Sequence, residues 1–388
     1  MKVYLNIFVL IFIFYAGCSN PSHIEVLTIK QDKIKEISNI SFDDKSFIDN
    51  CLFIPLETSV QSLIGYINQI EIIDNKFFIL DERSVRLKVF DHNGKFLYDV
   101  GRKGRGPGEY IAPMSFFVNN KEKKIGIIDI AHVHEYNLEG VYLKSISINL
   151  GITGVEKATC VGDEIFCYTQ IDHEHNMNYM LLSSEDYSLK KRFRPYLVKP
   201  KLNMRSSLMV HPYCFFNGKI HYTSLFSDTI FIYENGKEIP YLFIETGKPN
   251  VSSRYIESLN LDDPWQVFSR VITNERYSPG LSEFCETDNF ILTGLLDLRN
   301  FYLWDKKAEK GFRVKYNKLP DLGMPKTVDG NKIVRVWQPE QIQDYQDAIK
   351  EGTITCPEPV KTILKGYDPE YHNPILVIYY LSHNSEGV

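Results

Sequence analysis

A glycine-rich cationic stretch, residues 101–110, reads GRKGRGPGEY and carries groups that can bind anions. A P-loop needs the pattern GxxxxGK[ST] between a strand and a helix, whereas no Ser or Thr follows here and the next residues, APMSFFV, are typical of a strand. We therefore expect no nucleotide site. In one interpretation the stretch is a structural bend, in which Glu109 pairs with Arg102 or Arg105. In the other, backbone amides with Arg102, Lys103 and Arg105 bind a carboxylate, a sulfate or an acidic sugar.

Two histidine pairs have the spacing of metal ligands on a strand. His132 and His134 form one pair, and His173 and His175 form the other. Residues two apart on a strand point to the same face, so each pair can present two imidazoles together. If both pairs meet near one opening of the fold, they could ligate a divalent metal ion. The alternative is two pairs of solvated loop histidines, and no other cofactor is indicated.

The sequence shows no complete catalytic set. It contains neither GxSxG nor HExxH, and no nucleophile–base pair stands out. A binding protein is therefore favoured over an enzyme. The alternative is a metal-dependent hydrolase or lyase that acts on a small lactone, peptide or glycan.

The N-terminus has the features of an export signal. The apolar run over residues 3–16 is too short for a comfortable membrane-spanning helix. Residues 15–18, YAGC, resemble the lipobox of bacterial lipoproteins, although the first of them is usually Leu. We expect residues 1–17 to be a signal peptide, Cys18 to be acylated, and residues 18–50 to form a tether and an N-terminal strand. An ordinary cleaved signal peptide and a short N-terminal anchor are the alternatives.

Composition narrows the class of protein. The formal net charge of −5 gives no reason to expect a nucleic-acid partner. Tyr and Phe number 24 each against 3 Trp, which favours β-structure. The cysteines after Cys18 form no CxxC pair, so a zinc ribbon is not expected. Most of them are expected to be buried, with room for one disulfide.

A β-like unit recurs along the chain as a polar turn followed by an apolar run. Its first core residues are Phe77, Ile125, Ile165, Ile220, Phe290 and Ile333. Most copies are followed by a second strand pair around a tight turn, such as VFDHNGKFL. Six repeats of about four strands predict an all-β, six-bladed β-propeller over residues 51–388. The last repeat lacks an outermost strand, so we expect IEVLTI or CLFIPLE from the N-terminal region to complete it.

Three stretches carry a specific resemblance. IPLETSVQSLIGYI, VFDHNGKFL and GRKGRGPGEY, in that order behind a lipobox, resemble the six-bladed propeller lipoproteins of Bacteroidota, which are distant relatives of NHL-repeat propellers. The resemblance implies the fold and a location in the cell envelope, with the outer membrane as the expected anchor. It implies no catalytic residues.

Propeller connectivity sorts the loops onto two faces. The loops between the second and third strands of a blade, and the links between blades, share one face, which we call the linker face; the other is the turn face. The linker face should carry the cationic stretch and helical inserts at about residues 249–279 and 339–373. The candidate ligand residues there are Arg83, Arg102, Lys103, Arg105, Glu109 and Arg299. We therefore expect a membrane-tethered envelope propeller that binds a small molecule, a glycan or an envelope protein on this face; a purely structural role in an envelope complex is a further alternative.

Overall fold

The chain folds into a ring of six four-stranded β-sheets, a six-bladed β-propeller, which confirms the predicted fold. The structure is a computed structural model that describes residues 26–152, 154–169, 175–195, 213–234, 236–261, 263–297, 299–316 and 321–382. The predicted signal peptide and Cys18 lie outside these residues.

The strands follow one another blade by blade. Three precede the first blade: β1 (Leu27–Ile29), β2 (Ile34–Ile37) and β3 (Ile48–Pro55). The first blade is β4 (Ile67–Ile73), β5 (Lys76–Asp81), β6 (Arg86–Phe90) and β7 (Phe96–Val100), followed by the short strands β8 (Arg102–Lys103) and β9 (Glu109–Tyr110). The second is β10 (Ser115–Asn119), β11 (Lys124–Ile128), β12 (His132–Asn137) and β13 (Tyr142–Ser147). The third is β14 (Val155–Val161), β15 (Glu164–Thr169), β16 (Met177–Ser183) and β17 (Leu189–Pro195). The fourth is β18 (Tyr213–Phe216), β19 (Lys219–Tyr222), β20 (Thr229–Glu234) and β21 (Lys237–Ile244). The fifth is β22 (Leu281–Glu286), β23 (Phe290–Leu295), β24 (Asn300–Asp305) and β25 (Lys310–Lys315), and the sixth contains β26 (Thr327–Asp329), β27 (Lys332–Trp337) and β28 (Ile375–Leu381).

The middle strands of each blade form the core between neighbouring blades. Every residue of β11 and of β24 is buried. Burial on both faces explains why these runs are continuously apolar rather than alternating. The turns between strands are formed by residues that tolerate positive φ, such as Asn75 (φ 59°) and Gly94 (φ 83°).

The N-terminal strand β3 closes the ring. It pairs antiparallel with β28 as the outermost strand of the sixth blade, with Leu376 opposite Ile54 and Val377 opposite Phe53. The prediction that CLFIPLE completes the last blade is therefore confirmed. Closure joins the two ends of the propeller and removes an exposed edge from β28.

The strands β1 and β2 occupy positions that the repeats did not indicate. β1 adds to the rim of the fourth blade, parallel to β21, with Leu27 opposite Leu242. β2 adds to the rim of the fifth blade, parallel to β25, with Ile34 opposite Gly311. The N-terminal segment thus covers two adjacent blade edges before it enters the sixth blade.

Within the described residues four α-helices interrupt the strands, all in linker-face connections. They are α1 (Ser253–Ser258), α2 (Pro264–Ile272), α3 (Pro339–Lys350) and α4 (Glu358–Leu364). Ser252 and Asp263 cap α1 and α2 through their side chains. None of the helices in the described part of the chain is long and apolar enough to cross a membrane.

Candidate functional site

The cationic stretch forms a closed loop around Glu109. Arg102 donates from Nε to Glu109 Oε1 at 2.7 Å, and the backbone N–H of Gly106 donates to Glu109 Oε2 at 2.8 Å. The Gly106 N–H and Arg102 hold the pKa of Glu109 below its usual value. A Cβ atom at Gly104 would collide with the same carboxylate. Glu109 therefore occupies the place that a ligand anion would take among these groups.

The end of the loop is anchored in the core of the first blade. Tyr110 is fully buried; its hydroxyl donates to the Val100 carbonyl at 3.0 Å and accepts from the Leu87 N–H at 3.2 Å. Burial raises the pKa of Tyr110 to about 12. Gly101, at φ 67°, packs against Tyr110 and leaves no room for a side chain. The loop is thus a rigid element.

The remaining candidate cations are distributed around the linker face. Lys103 and Arg105 are exposed beside the closed loop and form no ion pair with any residue that the structure describes. Arg83 is exposed in the loop between β5 and β6 of the first blade. It packs against Gly65, at the edge of an open groove beside β7. Arg299 is exposed in the corresponding loop of the fifth blade, so it lies apart from this group on the ring.

The first histidine pair lies on one face of β12, as expected, but His134 already has partners. The rings of His132 and His134 lie 5.6 Å apart. His134 is buried, and its Nδ1 hydrogen-bonds Ser145 Oγ at 2.7 Å. His175 is exposed in the third blade, and His173 lies outside the described residues. Within the described ranges no three His, Cys, Asp or Glu side chains are grouped to hold a metal ion.

A recurring aspartate at the end of the second strand secures the links between blades. Asp81 accepts hydrogen bonds from the N–H groups of Gly65 and Tyr66, at 3.0 and 2.8 Å. Asp129 accepts from the N–H groups of Ile111 and Ala112, at 2.8 and 2.9 Å. The sequence analysis did not single out this role, although the signal is present as the final Asp of DNKFFILD and of KKIGIID.

One part of the linker face carries a group of exposed apolar side chains, which we call the open sector. It comprises Val60, Leu63, Tyr66, Ile111, Ile130 and Tyr371, from the sixth, first and second blades. Hydrogen bonds connect its segments: Asn373 bridges the Tyr371 segment to residues 57–64, and Asn68 Nδ2 donates to the Met114 carbonyl at 3.4 Å. The open sector is therefore one surface formed by neighbouring connections.

The helices cover much of the rest of this face. Ile256, Val267 and Val271 of α1 and α2 pack on aromatic side chains of the third and fourth blades. Ile342 and Val360 of α3 and α4 pack in the core of the fifth and sixth blades. Tyr255 receives a hydrogen bond from Asn274 at 2.7 Å and stacks near Tyr277, so it holds the insert rather than facing a ligand; Trp265 is exposed.

A cavity of about 240 Å³ occupies the central channel, in the half nearer the turn face. Its lining includes Glu71, Lys157 and Lys326, and Glu283 lies beside it on β22. Burial raises the pKa of Glu283 to about 7 and lowers the pKa of Lys326 to about 8. The sequence analysis missed these residues because each resembles an ordinary polar residue of a strand.

Comparison with known proteins agrees with this architecture. A family model described as "Domain of unknown function (DUF4934)" matches residues 24–380, while no curated protein matches the chain in sequence. A solved structure of a Bacteroides fragilis protein, assigned as exported, has a TM-score of 0.71 and 18% identity and covers 92% of this chain and 100% of its own. A Bacteroides vulgatus member of the DUF4221 family has a TM-score of 0.52 and 10% identity, covering 86% of this chain and 97% of its own. Similarity to these two structures is one of fold, and it agrees with the resemblance to Bacteroidota propellers. The family match spans most of the chain, which therefore belongs to the DUF4934 family.

Proposed function

We propose that this protein is an exported propeller of a bacterial cell envelope whose open sector binds another envelope protein. The observation that carries the proposal is the exposure of large apolar side chains on one part of the linker face. Val60 is fully exposed, Tyr371 is 69% exposed and Ile130 is 65% exposed. Apolar side chains gathered on one surface in this way are typical of interaction sites.

Charge at the border of the open sector indicates the chemistry of the partner. Arg83, Lys103 and Arg105 are exposed there and form no ion pair with any part of the chain that the structure describes. Arg102 is different because Glu109 already neutralises it. A partner with an apolar centre and acidic groups around it would complement this surface.

The rigidity of the surface favours a protein over a small anion. The amide and guanidinium groups of the closed loop are bound to Glu109, so the loop offers no preformed pocket for a carboxylate or sulfate. The links below it are held by Asp81 and Asp129. A rigid surface with exposed apolar side chains suits a macromolecular partner.

Site-specific photocrosslinking in intact cells tests the proposal. A photoreactive amino acid at Ile130 should give one discrete protein adduct, which mass spectrometry then identifies and binding of the two purified proteins reproduces. The matched control is Val141, which is 59% exposed on the turn face and should give no adduct. The double substitution Lys103→Glu with Arg105→Glu should strongly reduce the yield of the adduct at Ile130, because it reverses the charge that faces the acidic partner. Equal labelling at both positions, or labelling of lipid alone, would refute a protein partner.

The lipid anchor is a second part of the same proposal. The YAGC stretch is its support, and an acylated Cys18 would tether the propeller to the outer membrane through the segment before β1. Metabolic labelling with a palmitate analogue should label the wild-type protein and not Cys18→Ala, which should be released into the soluble envelope fraction. A Cys18→Ala protein that stays in the membrane after signal cleavage would refute the anchor, while leaving the crosslinking result unaffected.

A further inference from the structure

The central channel contains charged side chains from four different blades. Glu71 lies on β4, Lys157 on β14 and Glu283 on β22, while Lys326 directly precedes β26. All four are half-buried. The ring therefore places two ammonium groups and the Glu71 carboxyl group in the lining of a single cavity of about 240 Å³, with the Glu283 carboxyl group beside it.

These charges are not matched with one another by direct contact. Among the described residues, Lys157 Nζ donates to the Tyr213 carbonyl, at 3.4 Å, and lies 4.7 Å from the centre of the Tyr213 ring. Glu71 accepts a long hydrogen bond of 3.4 Å from Gln69 Nε2. Among the described residues, none of these four side chains takes part in an ion pair.

Half-buried charged groups without counter-ions are energetically unfavourable, and they are rare in folded proteins unless they have a function. The environment already disfavours the charged forms, since burial raises the pKa of Glu283 and lowers that of Lys326. Elsewhere the same protein pairs its buried charges closely; Lys124 and Glu135, for example, lie 2.8 Å apart. The channel groups thus keep hydrogen-bonding capacity that a ligand could use.

We propose that this cavity binds a small zwitterion of amino-acid size, with its carboxylate between Lys157 and Lys326 and its ammonium group at Glu71. The lining offers two ammonium groups to a carboxylate and one carboxylate, that of Glu71, to an ammonium group, so a ligand that carries both charges matches both. A ligand with only one sign of charge would leave one half of the set unmatched. The volume is below that of a typical drug-sized pocket, which limits the ligand to about the size of an amino acid.

The cavity wall supports this choice of ligand. Tyr213, Phe215 and Phe284 line it, and aromatic faces attract ammonium groups and pack against aliphatic carbons. Phe215 is 47% exposed and lies near the turn-face end of its strand. Access from the turn face is independent of the open sector, so this site is separate from the proposed protein interface.

Five-carbon ligands with three different types of charge test the assignment on the purified full-length protein. The probes are zwitterions (5-aminopentanoate and L-norvaline), the dianion glutarate and the dication 1,5-diaminopentane, each measured by calorimetric titration. At least one zwitterion should bind, and it should bind at least tenfold more tightly than glutarate or 1,5-diaminopentane. Tighter binding of glutarate or of 1,5-diaminopentane, or no binding of either zwitterion, would overturn the proposal.

Substitutions locate the bound zwitterion. Lys326→Met should weaken its binding at least tenfold, whereas Lys365→Met, at the exposed end of α4, should leave it unchanged. Lys157→Met and Glu71→Gln provide independent variants if Lys326→Met does not fold, and each should also weaken binding. Undiminished binding by the folded channel variants would place the zwitterion elsewhere and refute the site.

Discussion

Arg102 Nε lies 2.7 Å from Glu109 Oε1, and the same carboxylate accepts the Gly106 N–H through its other oxygen. The pair joins the two ends of a loop whose strands β8 and β9 run parallel, with Arg102 opposite Glu109. Of the two interpretations of GRKGRGPGEY, this geometry matches the structural bend. It also separates Arg102, which serves the loop, from Lys103 and Arg105, which face solvent.

Removing the Glu109 carboxylate should loosen the loop without unfolding the blade. In Glu109→Ala the Gly106 N–H loses its acceptor, so its hydrogen exchange should accelerate at least tenfold. The free energy of unfolding should change little, because the ion pair is exposed. The control is Glu139→Ala, an exposed residue of the turn face. Unchanged exchange at Gly106 would show that the carboxylate does not hold the loop.

Among the polar residues near the ring closure, Asn373 should be one of the most sensitive to substitution. It is buried, its Oδ1 accepts from the Ile64 N–H at 2.8 Å, and its Nδ2 donates to the carbonyls of Glu57 and Ser62 at 2.7 and 2.9 Å. Asn373→Ala leaves the Ile64 N–H and the Ser62 carbonyl without this partner, whereas the Glu57 carbonyl keeps the Ser62 hydroxyl, so the substitution should lower the free energy of unfolding by about 3 kcal/mol in urea denaturation. The exposed Asn149→Ala is the control, and a loss below about 1 kcal/mol for Asn373→Ala would contradict this role.

The Asp129 carboxylate should make stability depend on pH. Burial raises its pKa, but His134, whose Nε2 lies 3.6 Å from Oδ2, and the hydrogen bonds from the Ile111 and Ala112 amides outweigh burial and hold the pKa well below the usual value. A carboxyl whose pKa is depressed in the folded state stabilises the fold above its unfolded value of about 3.9, and this contribution is lost as the pH falls below it.

Asp129→Asn should therefore lower the free energy of unfolding by about 2 kcal/mol at pH 7 and by much less at pH 2.5. Urea denaturation at the two pH values measures both losses. Asp49→Asn, at an exposed position, serves as the control for general acid effects. A cost that is equal at the two pH values would mean that packing, rather than the charge of Asp129, secures the link.

The three N-terminal strands should contribute unequally to the stability of the propeller. A chain that begins at residue 38 lacks β1 and β2 but keeps β3, so we expect a cooperative melt at a reduced temperature. A chain that begins at residue 56 also lacks β3, which exposes the edge of β28, and we expect it to bind a hydrophobic dye and to aggregate. Equal melting of both shortened chains would refute a special role for β3.

Local signals explain why the blades could be predicted. Turns such as Asp74-Asn75 and Asn93-Gly94 need particular residue types, and the apolar runs between them mark buried strands. The closure by β3 followed from a missing outer strand in the last repeat. The parallel pairing of β1 with β21 and of β2 with β25 could not be predicted. Such short strands show no periodic pattern in the sequence, and their partners are far away in the chain.

The candidate sites were harder to predict than the fold. The linker face and its cationic loop follow from connectivity, but whether Arg102 is available depends on where Glu109 points. The channel charges were missed because Glu71, Lys157 and Lys326 lie far apart in sequence, and only closure of the ring brings them around one cavity. Exposure of Ile111 and Ile130 likewise depends on the path of two loops.

The position of β3 has a consequence for how the molecule is made. β3 lies near the beginning of the chain, and its partner β28 lies near the end. During synthesis the first of these strands must remain without its neighbour until almost the whole polypeptide exists. Contacts so distant in sequence slow folding and prolong the exposure of sticky edges. We therefore expect completion of the circle to be a late step of folding, with β3 left as an unpaired strand until then.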